Sequence, residues 1–354
     1  MRIRKITLEG DPYSRGLQHA EQLGAVMEVY AFKYFSKRRA LGDDRVKRIV
    51  RHYLKFLKRC VPEEVREMEG LADGLNLPLE RVLEHNLYTE LPVAASLLNG
   101  CSCIGKVSDN RVLLGKNNDG VPTYPDAHIL YHVKPDSGYE NMYVAFTGMT
   151  HQTSCNGINS EGFSIAGASI GPVKMEFRFE AVPRGIFIKH ILQYSANVDD
   201  AISILKRTLR KVGVSSGANC IFGDISGRLV AVEFTDKDFY IEEAEDGIAF
   251  RTNHPVSEKF SLKLIKDKKF LKGLENSRRR FETLSRLLRD SYVEVDEFKK
   301  ILRYHGEPAN ICQHVGQKGA VMNTGASFIM DPCRKEMHVL QGFPCQEEYQ
   351  TFRL

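Results

Sequence analysis

The chain has 354 residues, of which 42% are hydrophobic and 27% are charged, and its formal net charge at neutral pH is +5. This composition excludes an intrinsically disordered chain, and the modest positive charge lacks the signature of a nucleic-acid-binding module. The sequence has no run of eighteen apolar residues and no apolar leader with a small-residue cleavage site, so we expect a soluble, cytoplasmic protein without a transmembrane segment.

The first hundred residues are predicted to be mostly helical. Apolar residues at helical spacing run through residues 16–60, with a break at residues 41–44, where Leu-Gly-Asp-Asp supplies a helix stop and a new cap. Pro62 opens another helix with acids in its first turn, and a further one begins at Leu77. This part of the chain therefore precedes any extensive strand pattern.

Residues 37–59 are locally basic and interleaved with aromatic residues. The pattern is typical of a solvated helix face, with Tyr53, Leu54 and Leu57 pointing inward. A docking surface for an anionic phosphate or a membrane is the alternative interpretation.

Beyond residue 100 the pattern changes to short β-like runs separated by glycine, proline, aspartate and asparagine. Strands are predicted at 111–115, 128–133, 141–146, 163–167, 219–224, 228–234 and 247–251, with a closing hairpin at 326–332 and 337–340. Helices are predicted at 185–196, 198–212 and 277–288. Strand runs that alternate with helical blocks, without regular βαβ units, predict the α+β class.

The junction Gly100-Cys101 lies between these two parts of the chain. A backbone cut before Cys101 would leave an α-amino group, of ordinary pKa about 7.7–8.0, that can accept the proton of its own thiol. If the β-run at 112–114 turns back beside a strand from Cys101, Asp119 can orient this amine and Asn117 can donate to an oxyanion. Asn-Asn-Asp-Gly is also a common turn sequence, so the residues alone leave a purely structural role open.

Several further motifs follow one another in a fixed order. They are Gly10-Asp-Pro-Tyr-Ser-Arg-Gly16-Leu-Gln-His, Glu69-Gly-Leu-Ala-Asp-Gly74 with Asn86 and Glu90, Gly100-Cys101-Ser102, Asn117-Asn-Asp119, Asn156-Gly-Ile-Asn-Ser-Glu-Gly162, Ala218-Asn219-Cys-Ile-Phe-Gly-Asp224 with Gly227 and Glu233, Thr252-Asn253-His254, Ser277-Arg278-Arg279-Arg280, Asn310-Ile-Cys312-Gln-His314, Ala326-Ser-Phe-Ile-Met-Asp331-Pro and Gly342-Phe-Pro-Cys345. In this order the chain resembles the penicillin acyltransferase-like family, isopenicillin N acyltransferase and its relatives. These are cysteine members of the N-terminal nucleophile hydrolases.

The resemblance implies one domain over residues 1–354 with the four-layer αββα sandwich of these hydrolases. It also implies self-cleavage into a helical segment, 1–100, and a catalytic segment, 101–354, which stay bound to each other. The implied enzyme forms an acyl-thioester on Cys101 and passes the acyl group to water or an amine. Its substrate is a small-molecule amide or thioester, with acyl-coenzyme A esters among the candidates, and no cofactor is implied.

The resemblance also implies roles for individual residues. Asp119 pairs with an arginine of the group 278–280, for which Arg278 and Arg280 are the candidates we retain, and Ser277 starts their helix. Asn219 is the implied oxyanion donor. At the cleavage site, Gly100 tolerates the strained backbone of an N-to-S acyl shift, and Ser102 keeps the hydroxyl of the family's threonine.

The same residues are compatible with three alternatives. Cys103 is a second candidate nucleophile, which we expect to face away from Cys101. An uncleaved thiol hydrolase with His254 or His314 as its base, or a catalytically silent binding protein, would use the same residues differently, although structural hydrogen bonding is the favoured role of both histidines. Asn118 stands where the family often has tryptophan, which indicates a differently shaped acyl pocket.

The eight cysteines are expected to be reduced thiols rather than a disulfide framework. There is no Cys-x-x-Cys pair, and Cys101-x-Cys103 alone is too sparse for a zinc site. We therefore expect no metal, and we interpret Cys312 and Cys345 as packing thiols.

Overall fold

The computed structural model describes residues 2–29, 43–87, 100–109, 111–120, 126–151, 155–175 and 180–354. The predicted helix break at 41–42, the basic residues 37–42 and the motif residue Glu90 lie outside these ranges. Within them, no helix has the length and apolarity needed to cross a membrane.

The strands are, in chain order, β1 (Arg4–Gly10), β2 (Cys101–Ser108), β3 (Arg111–Asp119), β4 (His128–Pro135), β5 (Asn141–Phe146), β6 (Asn156–Asn159), β7 (Phe163–Ser169), β8 (Ala218–Asp224), β9 (Leu229–Phe234), β10 (Phe239–Glu243), β11 (Ile248–Arg251), β12 (Thr324–Asp331), β13 (Glu336–Gln341) and β14 (Gln350–Arg353). One sheet has the spatial order β1-β4-β5-β6-β7-β8-β9-β10, and the other has β11-β2-β3-β12-β13-β14. Neighbouring strands are antiparallel except for β1 and β4, which pair in parallel.

The helices are α1 (Pro12–Val29), α2 (Asp43–Cys60), α3 (Pro62–Gly74), α4 (Leu79–Asn86), α5 (Arg184–Tyr194), α6 (Val198–Lys211), α7 (Glu258–Ser261), α8 (Lys268–Arg289) and α9 (Val295–Arg303). Helices α1–α6 pack their apolar faces on the outer face of the larger sheet. Helices α8 and α9 cover the outer face of the smaller sheet, against side chains such as Ile104 and Leu113. Apolar side chains of both sheets meet between them, which confirms the predicted four-layer αββα sandwich.

The N-terminal helices are held to the sandwich by close packing and by a buried ion cluster. Helices α1 and α3 cross so closely that a Cβ on Gly16 would lie 2.1 Å from the carbonyl oxygen of Glu67, so only glycine fits there. The carboxylate of Glu67 accepts hydrogen bonds from Arg15 at 2.8 Å and from Lys189 of α5 at 2.9 Å. The helical motif around Gly16 is therefore a packing motif.

Most predicted elements are present, with local differences. Tyr53 and Leu57 of α2 are fully buried and Leu54 packs partly buried against the core, as the amphipathic pattern predicts. Helix α8 begins at Lys268, before the predicted start at residue 277, because Asp267 caps it by accepting a hydrogen bond from the Lys269 amide. The strands β6, β10 and β14 and the helices α7 and α9 were not predicted from the sequence.

Candidate active site

The predicted hairpin around the Gly-Cys junction is confirmed. Cys101 is the first residue of β2, which lies between β11 and β3 in the smaller sheet. The antiparallel register of β2 and β3 pairs Cys101 with Asn118 and Ser102 with Asn117. The end of β3 therefore lies beside the thiol, as we expected from the run at 112–114.

The Cys101 side chain is buried, with 4% of its surface exposed. Its thiol donates a hydrogen bond to Oδ1 of Asn118 at 3.3 Å, and its backbone N–H donates to Oδ1 of Asn253 at 2.8 Å. Burial raises the pKa of the Cys101 thiol, while the positive charges of Lys116 and Arg280 oppose this rise. The buried environment thus favours the neutral thiol.

The carbonyl group of Gly100 is held against the end of β3. Its oxygen accepts a hydrogen bond of 2.8 Å from the backbone N–H of Asp119. A Cβ added to Gly100 would lie 2.8 Å from Oδ2 and 2.9 Å from Cβ of Asp119. This contact explains why glycine precedes the cysteine, because a larger residue would push the carbonyl away from its donor.

The side chain of Asp119 is also fully buried. Its Oδ1 accepts a hydrogen bond from the Thr324 hydroxyl at 2.6 Å, and its Oδ2 lies 4.0 Å from Nη1 of Arg280 without a hydrogen bond of its own. Burial raises the pKa of this carboxyl, and the charge of Arg280 and the Thr324 hydrogen bond partly offset the rise. Asp119 and Arg280 therefore form a loose buried pair beside the junction.

Arg280 is the arginine that reaches the site. Its Nη1 donates to the carbonyl oxygen of Cys101 at 2.5 Å and to the Ser102 hydroxyl at 3.0 Å. Its Nη2 donates to Oδ1 of Asn253 at 3.0 Å, and its Nε donates to Oδ1 of Asn276 at 2.9 Å. The guanidinium thus fixes both the start of β2 and the asparagine that accepts from the Cys101 amide.

The other two arginines of this group point to solvent. Arg278 and Arg279 are exposed on α8, and Arg279 pairs with Glu275 one turn earlier. Retaining Arg278 as a site residue was therefore wrong, because the buried face of α8 carries Ser277 and Arg280 at i, i+3 spacing. This helical periodicity was readable in the sequence.

Asn253 contacts the Cys101 amide, a role that its motif, Thr252-Asn253-His254, did not predict. The segment 252–254 is held by hydrogen bonds to Ser277 of α8 and to Ser169 of β7. The Ser277 hydroxyl accepts hydrogen bonds from the backbone amides of Asn253 and His254, at 2.9 and 3.0 Å. The Asn253 side chain itself donates from Nδ2 to Ser169 at 3.1 Å, so its Oδ1 faces the Cys101 amide.

The two asparagines proposed as oxyanion donors are occupied elsewhere. The Asn219 amide donates to the carbonyl oxygens of Thr252 and His254, at 2.8 and 2.9 Å. The Asn117 amide donates to the carbonyl oxygens of Leu302 and residue 311, at 2.8 and 3.0 Å. Since each N–H₂ group donates both of its hydrogens to backbone carbonyls, neither residue is the expected oxyanion donor. Asn219 instead supports the segment that carries Asn253.

The expectation that Cys103 faces away from Cys101 was wrong. Residues two apart in a strand share a face, and both thiols contribute to the apolar layer between the sheets. Cys103 is completely buried, and burial raises its thiol pKa far above the ordinary value. It therefore packs as a small apolar side chain.

The two histidines considered as bases make other contacts. Nδ1 of His254 lies 2.9 Å from the Ser277 hydroxyl and 3.1 Å from the Thr252 hydroxyl. Burial and three nearby arginines lower the pKa of His254 to about 4, so it is neutral at physiological pH. The ring of His314 stacks on Phe343 and its Nε2 lies 3.4 Å from Sγ of Cys345.

A cleft opens beside the junction. It is lined by residues that include Gly100, Asp119, Asn253 and Arg280, whereas Cys101 itself is not part of its surface. The space in the cleft that water molecules can occupy is small, about 30 Å³. The Gly100 side of the junction thus faces the cleft, whereas the Cys101 side chain is buried.

Two stacked sheets lie between helical layers, and the Gly100-Cys101 junction lies at the start of an interior strand, as expected for the αββα sandwich of the family that the motifs indicate. The chain belongs to the acyl-coenzyme A:6-aminopenicillanic acid acyl-transferase family, whose model matches residues 107–344, more than half of the chain. The family predicted from the motifs is confirmed, and it makes the chain an enzyme of the acyl-transferase type. The matched segment begins after Cys101.

Solved structures with a similar architecture share little sequence with this chain. A mutant of conjugated bile acid hydrolase from Clostridium perfringens is 13% identical, with a TM-score of 0.46 and coverage of 71% of this chain and 97% of that one. Penicillin V acylase from Agrobacterium tumefaciens is 13% identical, with a TM-score of 0.45 and coverage of 68% of this chain and 82% of that one. The Caenorhabditis elegans ortholog of N-acylethanolamine-hydrolyzing acid amidase is 13% identical, with a TM-score of 0.46 and coverage of 72% of this chain and 99% of that one. No curated protein sequence matches significantly.

Proposed function

We propose that the protein cuts its own Gly100–Cys101 bond and then uses Cys101 as an N-terminal nucleophile on small-molecule amides or thioesters. The observation that carries this proposal is the hydrogen bond from the Asp119 amide to the Gly100 carbonyl, next to a buried thiol. A carbonyl held by a fixed N–H donor is already positioned for the charge that develops during attack.

In the first reaction, the Cys101 sulfur attacks the carbonyl carbon of Gly100. The negative charge goes to the Gly100 oxygen, where the Asp119 amide stabilises it. Collapse breaks the C–N bond, and the thiol proton goes to the nitrogen of Cys101, which becomes an amine. Water then hydrolyses the thioester between Gly100 and Cys101, which yields a new carboxyl terminus and a free thiol.

The freed amine is the base for the second reaction. It inherits the position of the Cys101 amide, 2.8 Å from Oδ1 of Asn253. The guanidinium of Arg280 donates to the same oxygen, so its positive charge disfavours protonation of the amine and keeps it ready to accept the thiol proton. The base is therefore supplied by the nucleophile's own residue, and no histidine is required.

A substrate carbonyl fits the position that Gly100 leaves. Its oxygen would then accept from the Asp119 amide, and its acyl group would occupy the cleft between Asn253 and Arg280. Attack forms the acyl-thioester on Cys101 and releases an amine or a thiol. Transfer to water completes hydrolysis, and transfer to an amine completes acyl transfer, with acyl-coenzyme A esters among the thioester donors.

Residues 1–100 are expected to stay bound after the cut. Strand β1 pairs with β4 along its whole length, and helices α1–α4 bury their apolar faces on the larger sheet. Separation would expose this apolar surface to water, which is strongly unfavourable. The mature enzyme would thus be an assembly of two pieces of one chain.

Intact-mass analysis of the purified protein tests the proposal. We expect two polypeptides, residues 1–100 and 101–354, and a single uncut chain for Cys101→Ala. The matched control is Cys103→Ala, two residues along the same face of β2, which should still be cut. An uncut chain with full activity would overturn the proposal and favour a thiol hydrolase that needs no cleavage.

The substrate class is tested by acylation of Cys101 in the mature protein. N-acyl amino acids, acyl-coenzyme A esters and lactams are presented in turn, and the mass of the fragment 101–354 is followed in time. We expect a transient increase equal to the acyl group from one class. A fragment that binds a compound tightly but never gains mass would instead indicate a silent binding protein.

A further inference from the structure

Four metal-binding side chains come together at one end of the smaller sheet. They are His305, Cys312, His314 and Cys345, and one donor atom from each lies within 4.8 Å of the other three. We propose that these four residues form a structural zinc site. The proposal departs from the expectation of no metal. That expectation rested on the missing Cys-x-x-Cys pair, whereas here the fourth ligand lies 31 residues beyond His314.

The distances suit a tetrahedral ion. Zinc binds cysteine sulfur at about 2.3 Å and histidine nitrogen at about 2.0–2.1 Å, so a regular tetrahedron has edges of about 3.8 Å between two sulfurs and about 3.6 Å between sulfur and nitrogen. The sulfurs of Cys312 and Cys345 are 3.6 Å apart. Nε2 of His314 is 3.6 Å from the first and 3.4 Å from the second.

The remaining ligand and the chemistry of the donors support the same ion. The imidazole of His305 lies 5.1 Å from that of His314, centroid to centroid, and is exposed, so its ring is free to turn toward the shared centre. Two thiolates and two imidazoles are a closed, soft donor set that favours zinc over magnesium or calcium. The stacked ring of Phe343 holds His314 in place, as an outer support for a ligand.

The site also has a consequence for the catalytic centre, through Gln313. This residue lies between two ligands, and its backbone N–H donates to the Thr324 hydroxyl at 2.8 Å, while its side-chain oxygen accepts from Asn276 at 3.0 Å. Thr324 holds the carboxylate of Asp119, and Asn276 holds the guanidinium of Arg280. An ion that fixes the segment 312–314 therefore fixes both supports of the buried pair.

Metal analysis of the full-length protein tests the inference. After purification without chelators, we expect about one zinc per chain by elemental analysis, and loss of it in Cys345→Ser and in His305→Gln. Both positions are exposed, so these variants should fold. Cys60→Ser is the matched control, since Cys60 is an exposed thiol at the end of α2 and should leave the zinc content unchanged.

A second measurement does not depend on activity. Chelator-treated protein is titrated with Zn²⁺ alone, and its Tm should rise by several degrees, whereas the Tm of Cys345→Ser should not respond. A Cys312–Cys345 disulfide, detected as protection of both thiols from alkylation, would overturn the inference, as would absence of zinc binding in the titration. Repeating the titration in the Cys101→Ala background separates this result from the proposed self-cleavage.

Discussion

The substitution Gly100→Ala tests the geometry of the cleavage site most directly. The new methyl group would lie 2.9 Å from Cβ of Asp119, whereas two carbon atoms in contact prefer at least about 3.5 Å. Relief requires a shift of about 0.6 Å, which would lengthen the bond from the Asp119 amide to the Gly100 carbonyl from 2.8 Å to about 3.4 Å, beyond a normal hydrogen bond. Losing one oxyanion donor slows acyl chemistry by about 10²–10³-fold.

The assay is the time course of cleavage, followed by intact mass in freshly folded protein. The variant should remain largely uncut over the period in which the parent chain is processed. Gly171→Ala is the matched control, because Gly171 lines the same cleft but a Cβ there would meet no atom within 4 Å. Equal cleavage rates for Gly100→Ala and the parent would refute the role of the Asp119 amide.

Three further predictions concern the charged and buried groups. Arg280→Lys should slow acylation of Cys101 by about 10²-fold, because one ammonium cannot make the four hydrogen bonds of the guanidinium. Arg279 is exposed, so Arg279→Lys is the control and should acylate at the rate of the parent chain. Burial lowers the pKa of His128 to about 3, below its unfolded value of 6.5. Above pH 6.5 the imidazole is neutral in both states. As the pH drops from 6.5 toward 3, only the unfolded chain binds the proton, so the free energy of unfolding falls by about 1.4 kcal/mol per pH unit. In chemical denaturation His128→Leu should make this acid dependence less steep, and an unchanged slope would contradict the prediction. Lys189→Met should lower the free energy of unfolding by about 3–5 kcal/mol, because it removes one of the two cations bound to buried Glu67; a loss below about 1 kcal/mol would show that Arg15 alone suffices.

Local patterns in the sequence predicted most elements, because they depend on neighbours in the chain. The apolar spacing around Tyr53 and Leu57 predicted which face of α2 is buried, and the run after Cys101 predicted the hairpin. The helical period also separates Arg280 from its neighbours, since it follows Ser277 by three residues on the same face. The strand period likewise places Cys103 on the face of Cys101.

Contacts between distant segments could not be read in this way. Asn219 matched a motif, but only the fold shows that its amide is used on the backbone of residues 252–254, which leaves Asn253 beside the Cys101 nitrogen. Asn117 and Asn118 are adjacent in sequence, and the β2–β3 register decides which one faces the thiol. Hydrogen bonds of this kind depend on the orientation of side chains from separate elements.

Residue types and local spacing were sufficient to predict the family, the succession of helical and strand-rich parts, and the Gly100-Cys101 junction between them. These features depend on residue types and on periods of two and 3.6, which operate within one element. The contact of the Gly100 carbonyl with the Asp119 amide, and that of Cys345 with Cys312, required the folded chain. Such encounters bring together residues far apart in the chain, and their geometry follows from how the sheets and helices pack.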